Sequence, residues 1–278
     1  MTTTLRPSGP LQQTASGGRS RPYEIRVNSR CVGALLLASD TPFGPTVGEI
    51  RELAVEEPDR RRGRATVAAL AAEEVLRGWG CRRVRSSVPA DSPGGLRLAS
   101  ALGYAEYSRN MAKELPAEPP ALSEGVTGRP MTPAEFEAWL ALARQSYADV
   151  WIARGMSEQA AHAKSAADHD DLLPRGLDTP GVSLRVLEAQ TQAGGETVGH
   201  LWLAPSGEGS YVFDVEVAEG HRRRGYGRDL MLLAEGTALA EGHRMLGLHV
   251  FTDNTPAVRL YESLGYRTTN FNYAKDLI

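Results

Sequence analysis

The chain matches itself: shifted by 162 residues, it brings two long segments into register. Val55 falls on Val217, Arg60-Arg61-Arg62-Gly63 on Arg222-Arg223-Arg224-Gly225, and Ala72-Glu73 on Ala234-Glu235. Gly80 falls on Gly242, Leu102-Gly103-Tyr104 on Leu264-Gly265-Tyr266, and Ala112-Lys113-Glu114-Leu115 on Ala274-Lys275-Asp276-Leu277. No gap is needed over about sixty residues, a match that apolar periodicity alone does not produce. Such a chain folds twice on one plan. Upstream, Val32-Gly33-Ala34-Leu35 answers Val198-Gly199-His200-Leu201 with the register slipped by four residues, as expected where a hairpin turn differs in length.

Each copy reads as two strands, a third strand, an arginine and glycine turn, a helix, a strand, a short helix and closing strands. In the second copy the strands are predicted at 181–189, 197–205, 210–217 and 245–251, and Leu230, Leu233, Ala234 and Thr237 give the intervening helix an apolar face. The copies differ in what precedes them. Ahead of the second stand helix signals: Thr132-Pro133-Ala134-Glu135 sets a capping box with Pro at the first helical position, and Phe136, Leu140, Ala143 and Tyr147 mark one face. A further helix is expected from Ser157 to about Asp168, ending before Pro174 and Gly176. Residues 1–20, polar and rich in Thr, Ser, Gly, Gln and Pro, read as a disordered tail. The expected organisation is therefore α+β, with tandem domains at 21–115 and 131–278 joined by a linker at 116–130. Each domain is a mixed, mostly antiparallel sheet flanked by helices.

A net charge of -3 lacks the global basic bias of a nucleic-acid binder. Cys31 and Cys81 cannot make a disulfide framework, and no apolar run suggests a signal peptide or a membrane span. The expectation is a cytoplasmic protein without nucleic-acid or membrane partners.

The chemistry centres on the strand ending at Val217 and the run Arg222-Arg223-Arg224-Gly225-Tyr226-Gly227-Arg228 that opens the next helix. A glycine turn at a helix N-terminus presents unpaired N–H groups and the positive end of the helix dipole, which suits a pyrophosphate. The pattern Arg222-x-x-Gly225-x-Gly227, echoed by Arg60-x-x-Gly63-x-Ala65, is joined downstream by Asn254, Ala257, Leu260, Tyr261, Leu264, Gly265 and Tyr266. In these two ordered motifs the chain resembles the GCN5-related N-acetyltransferase (GNAT) superfamily, fully over 126–278 and partly over 21–115.

The resemblance implies acetyl-coenzyme A as cosubstrate. The backbone of Val215, Glu216 and Val217 would receive the pantetheine arm, Arg222 to Arg228 would cradle the pyrophosphate, and Asn254 would contact the pantetheine. Tyr261 would protonate the departing thiolate. A protonated amine cannot attack until a base removes its proton, and two groups are candidates: Glu216 on the third strand, and His249, five residues before Asn254. At the corresponding places the first copy has Ala54, Ser92 and Ala99 instead of Glu216, Asn254 and Tyr261, so it reads as a structural or regulatory half. The run Asp168-His169-Asp170-Asp171 reads as a solvated helix end, and no metal is expected. Trp151, Trp202, Tyr147 and Tyr211 read as packing residues, with lining an acceptor pocket as the alternative. The acceptor expected is a small-molecule or peptide amine. Mycothiol synthases, tandem members of the superfamily with a degenerate first half, add amino-sugars and aminothiols to that set. The rival reading is a non-catalytic acyl-coenzyme A sensor or scaffold.

Overall fold

A computed structural model describes residues 2–14, 17–41, 43–191 and 194–277. In chain order the elements are β1 (Thr3–Pro7), β2 (Gln12–Gln13), β3 (Arg19–Val27), β4 (Arg30–Thr41), β5 (Gly44–Val55), α1 (Arg64–Gly78), β6 (Arg83–Pro89), α2 (Pro93–Ala101) and β7 (Ala105–Glu114). They continue as β8 (Val126–Pro130), α3 (Pro133–Ala153), α4 (Glu158–Leu172), β9 (Ser183–Thr191), β10 (Gly194–Ser206), β11 (Gly209–Val217), α5 (Tyr226–Ala240), β12 (Met245–Phe251), α6 (Thr255–Ser263) and β13 (Arg267–Asp276). The repeat is visible in these bounds: α1 and α5, β6 and β12, α2 and α6, and β7 and β13 each begin and end 162 residues apart.

Two compact units result, one of residues 1–109 with 269–278, the other of residues 110–268. In the first the strand order is β1-β3-β4-β5-β6-β13, with β2 beside β3. There β5 and β6 run parallel, and the other pairs antiparallel. In the second the order is β7-β12-β11-β10-β9-β8. There β11 and β12 are parallel, while β10 is antiparallel to β11 and β9, and β9 to β8. Both are mixed, mostly antiparallel sheets with helices against them. Leu201, Leu203, Leu230, Met231 and Leu246 are fully buried in the core of the second, and Ile25, Leu35, Leu37 and Leu76 in that of the first.

The units do not follow the boundaries of the repeat. The strand that closes the second copy in sequence, β13, pairs with β6 of the first, Asn270 opposite Pro89 and Asp276 opposite Arg83. Residues 110–114 of β7, which close the first copy, lie in the unit where β7 neighbours β12. A lysine on each closing strand meets a deeply buried glutamate. Lys275 Nζ bonds both carboxylate oxygens of Glu73 at 2.9 and 2.8 Å, and Lys113 Nζ bonds Glu235 at 2.7 Å. Glu73 and Glu235 are 4% and 1% exposed, and these lysines offset the cost of burying their charges.

Two expectations are corrected. The opening residues are not a disordered tail: β1 pairs with β3, and its Leu5 packs against the first core. The expected linker also ends early, because β8 pairs with β9 from Val126 opposite Ala189 to Pro130 opposite Arg185. Gly128 permits this. A Cβ there would stand 2.3 Å from Leu233 Cδ1 of α5, so the strand lies where a side chain would collide with the helix. The helices before β9 form as their caps dictate: Thr132 Oγ1 accepts from Glu135 N, Glu135 Oε2 accepts from Thr132 N at 2.8 Å, and Ser157 caps α4. Among the described residues no helix is long and apolar enough to cross a membrane.

Candidate active site

The site of the second unit begins with an irregularity in its sheet. Trp202 faces Asp214 but Leu203 faces Val212, so Phe213 is an extra residue that bulges β11. On its other side, β11 pairs with β12 only from Ser210 opposite Leu246 to Val212 opposite Leu248. Beyond that point the strands separate, and Val215 and Glu216 line a cavity of about 560 Å³. At the end of β11, Gly225 takes the left-handed conformation (φ 94°) and opens α5 with no side chain capping its N–H groups. Arg223 is left-handed too (φ 64°), and Arg222, Arg223, Arg224 and Arg228 are exposed around the turn. An uncapped, arginine-flanked helix start beside an unpaired strand edge fits a diphosphate ester with an extended arm. Gly227 lets this start sit against α6, since a Cβ would lie 3.3 Å from Leu260.

Tyr261 of α6 lines the cavity and is 7% exposed. Burial first, and then the charge of Asp214, push its hydroxyl up to about 12, so it keeps its proton at neutrality. Asn254 caps α6 by accepting from Ala257 N at 3.3 Å, and it also lines the cavity. Glu216 is at the rim, bonded to Arg222 at 3.0 Å. Arg222 also donates from Nε to the Val217 carbonyl at 3.3 Å, so it is turned toward the strand. His249 lines the cavity from β12 with its ring edge-on to Phe251, 4.8 Å between centroids.

Three residues of the site were not singled out from sequence: His200, Asp214 and Trp139. Asp214 accepts from His200 Nε2 at 2.9 Å and from Trp139 Nε1 at 3.1 Å. Enclosure works against the charge of Asp214, but the hydrogen bond and charge of His200, the Trp139 indole and nearby His169 outweigh it. They hold the carboxyl below the usual carboxylate range. An ionised Asp214 fixes the proton of a neutral His200 on Nε2, which makes Nδ1 the basic nitrogen. The one sequence signal was the repeat itself, which sets His200 against Ala34.

Aromatic rings complete the wall. Trp139 stands edge-on to Trp202 at 5.5 Å, and Trp202 stacks on Phe213 at 5.1 Å. Trp202, Tyr147 and Tyr211 line the cavity, whereas Trp151 packs edge-on to Tyr147 at 6.0 Å. The run after Asp168 is not simply solvated. His169 is buried with Nδ1 2.8 Å from Ser165 O, Asp168 accepts from Tyr147 and Lys164, and Asp170 pairs with Arg144.

The first unit keeps the frame without the groups. Arg51 is the extra residue of its β5, pairing with β6 stops at Ile50 opposite Ser86, and Gly63 opens α1 left-handed (φ 73°). Ala99 is buried where Tyr261 stands in the second unit, and Ser92 precedes α2 without capping it.

The family model described as the acetyltransferase (GNAT) family matches residues 4–104 and 142–266. An uncharacterized N-acetyltransferase of Bacillus subtilis, YycN, is 31% identical over 53% of this chain and 96% of its own length. A mycothiol acetyltransferase of Clavibacter sepedonicus is 29% identical over 84% of this chain and 77% of its own. Among solved structures, a GCN5-related N-acetyltransferase of Sphaerobacter thermophilus shares the fold at 18% identity and a TM-score of 0.62, covering 92% of this chain and 80% of that one.

Proposed function

The chain belongs to the GNAT acetyltransferase family, and from that premise we propose that its second unit moves the acetyl group of acetyl-coenzyme A directly to a primary amine. The observation that carries this reading is the separation of β11 from β12 beyond Val212. It opens a strand edge onto a cavity that also holds a protonated Tyr261 and the His200–Asp214 pair. Acetyl-coenzyme A, when bound, supplies a thioester whose carbonyl carbon an amine can attack.

His200 Nδ1 takes one proton from the acceptor ammonium, and Asp214 stabilises the imidazolium that forms. Glu216, 4.0 Å from His200 Nε2 and open to solvent, and His249 flank this pair and share the handling of that proton. Backbone N–H groups of the open strand edge face the negative charge that develops on the thioester oxygen. As the C–N bond forms and the C–S bond breaks, Tyr261 gives its proton to the sulfur and recovers one from the nitrogen. The sum is an amide, a thiol and one proton released. Arg223, Arg224, Arg228 and the α5 start hold the diphosphate, and Val215 to Val217 with Asn254 receive the arm. Support for an amine acceptor comes also from the mycothiol acetyltransferase relatives. The first unit, lacking acid and base, is assigned a structural or regulatory role.

The test is calorimetric titration of acetyl-coenzyme A into the full chain, with thiol release measured over a panel of amines. Binding at one site with amine-dependent thiol release supports the reading, and absence of binding removes it. Tight binding with no turnover of any amine favours the sensor reading.

A further inference from the structure

The walls of the cavity narrow the acceptor. Resting on the acetyl-transfer reading, we propose that the acceptor is a small primary amine with an apolar face and no carboxylate or phosphate group.

Charge is the first argument. Of the side chains lining the cavity, Asp168, Asp214 and Glu216 are acidic, and among the described residues no lysine or arginine lines it. The nearby cations are already committed: Lys164 to Asp168 at 2.6 Å, Arg222 to Glu216 at 3.0 Å, and Arg154 to Asp253 at 3.4 Å. An ammonium entering the cavity meets carboxylate oxygens and ring faces, both of which attract it. A carboxylate on the same molecule would give up its water beside three carboxylates, with the neighbouring lysine and arginines already paired and His200 engaged by Asp214.

Shape and surface are the second. Trp139, Trp202, Phe213, Tyr211 and Tyr147 present a run of aromatic carbon, which favours an apolar face on the ligand over a ring of hydroxyls. A volume of about 560 Å³ shared with the thioester end leaves room for a small molecule.

The experiment uses the full chain, saturating acetyl-coenzyme A and three amines read by thiol release: tyramine, tyrosine and glucosamine. Tyrosine differs from tyramine only by its carboxylate, and glucosamine lacks both an anion and an apolar face. Tyramine is expected to exceed tyrosine in kcat/KM by about a hundredfold or more, and to exceed glucosamine by about tenfold. Ser146→Arg, on the exposed wall of α3, supplies a cation and should narrow the tyramine-to-tyrosine ratio by about tenfold, with acetyl-coenzyme A affinity unchanged. Parity of tyrosine with tyramine overturns the exclusion of anions, and parity of glucosamine overturns the apolar face. An enzyme that binds acetyl-coenzyme A but releases no thiol with tyramine overturns the acceptor class alone. Failure to bind acetyl-coenzyme A overturns the transfer reading beneath it.

Discussion

Tyr261 keeps its hydroxyl proton because burial and the charge of Asp214 together raise it to about 12. The same enclosure that makes it a poor anion makes it available as an acid across the neutral range. Tyr261→Phe removes one hydroxyl from a packed ring. It should lower kcat by about 10²-fold or more while leaving the calorimetric affinity for acetyl-coenzyme A unchanged. His200→Gln and Asp214→Asn should each lower kcat by a similar factor of about 10². His249→Gln, at a flanking position, should lower kcat less. A kcat unchanged in His200→Gln would transfer the base role to Glu216 or His249. The two motifs made Tyr261, Asn254 and the arginine turn legible in the sequence, because their spacing is local to one turn and one short helix. His200, Asp214 and Trp139 lie on β10, β11 and α3, and only folding brings them within hydrogen-bond distance. No spacing along the chain announces such a group, apart from the departure of His200 from Ala34 between the copies.

Helix α3 shows how far local chemistry reaches. Its Thr132–Glu135 box was legible, and the structure adds Arg129, which bonds both oxygens of Glu135 at 2.8 and 2.7 Å and also Glu188 at 2.9 Å. Thr132→Ala should cost about 1 kcal/mol in chemical denaturation. The hydrogen bond from Arg129 first, against some desolvation, and then those from Thr132 lower Glu135 to about 2 from its ordinary 4.5. A depressed carboxyl stabilises the fold above its unfolded value and loses that contribution as pH falls through its folded one. The stability difference between the wild type and Glu135→Gln should therefore be constant above about pH 5 and shrink steadily toward pH 2. A difference that grew on acidification would contradict this assignment. The elements misread were β1 and β8. Each is a short strand in a polar or proline-rich stretch, and a strand at the end of a sheet needs few apolar residues to be held by its neighbour. Leu5 alone carries β1 into the first core, and Gly128, which looks like punctuation, is what admits β8 against α5.

For the whole molecule, the repeat made two copies of one plan legible, but not which strands share a sheet. The shift of 162 residues superposes β7 on β13, and that match holds whether a closing strand returns to its own copy or crosses to the other. The buried ion pairs record the crossing. Lys113→Met should destabilise the second unit by about 3–5 kcal/mol by leaving Glu235 without its cation, and Lys275→Met should do the same to the first through Glu73. Hydrogen exchange resolves the two: each substitution should raise exchange in the unit to which its closing strand belongs and not in the rest of its own repeat.

The exchange of closing strands also sets a timetable for synthesis on the ribosome. The pairing of Arg83 with Asp276 spans 193 positions, and Glu73 waits across 202 for Lys275. At roughly 5–20 residues per second, translation leaves β6 as an open sheet edge and Glu73 without its cation for roughly 10–40 seconds. A nascent chain in that interval carries an edge that any passing strand could occupy. Slow translation through the second repeat would lengthen that exposure.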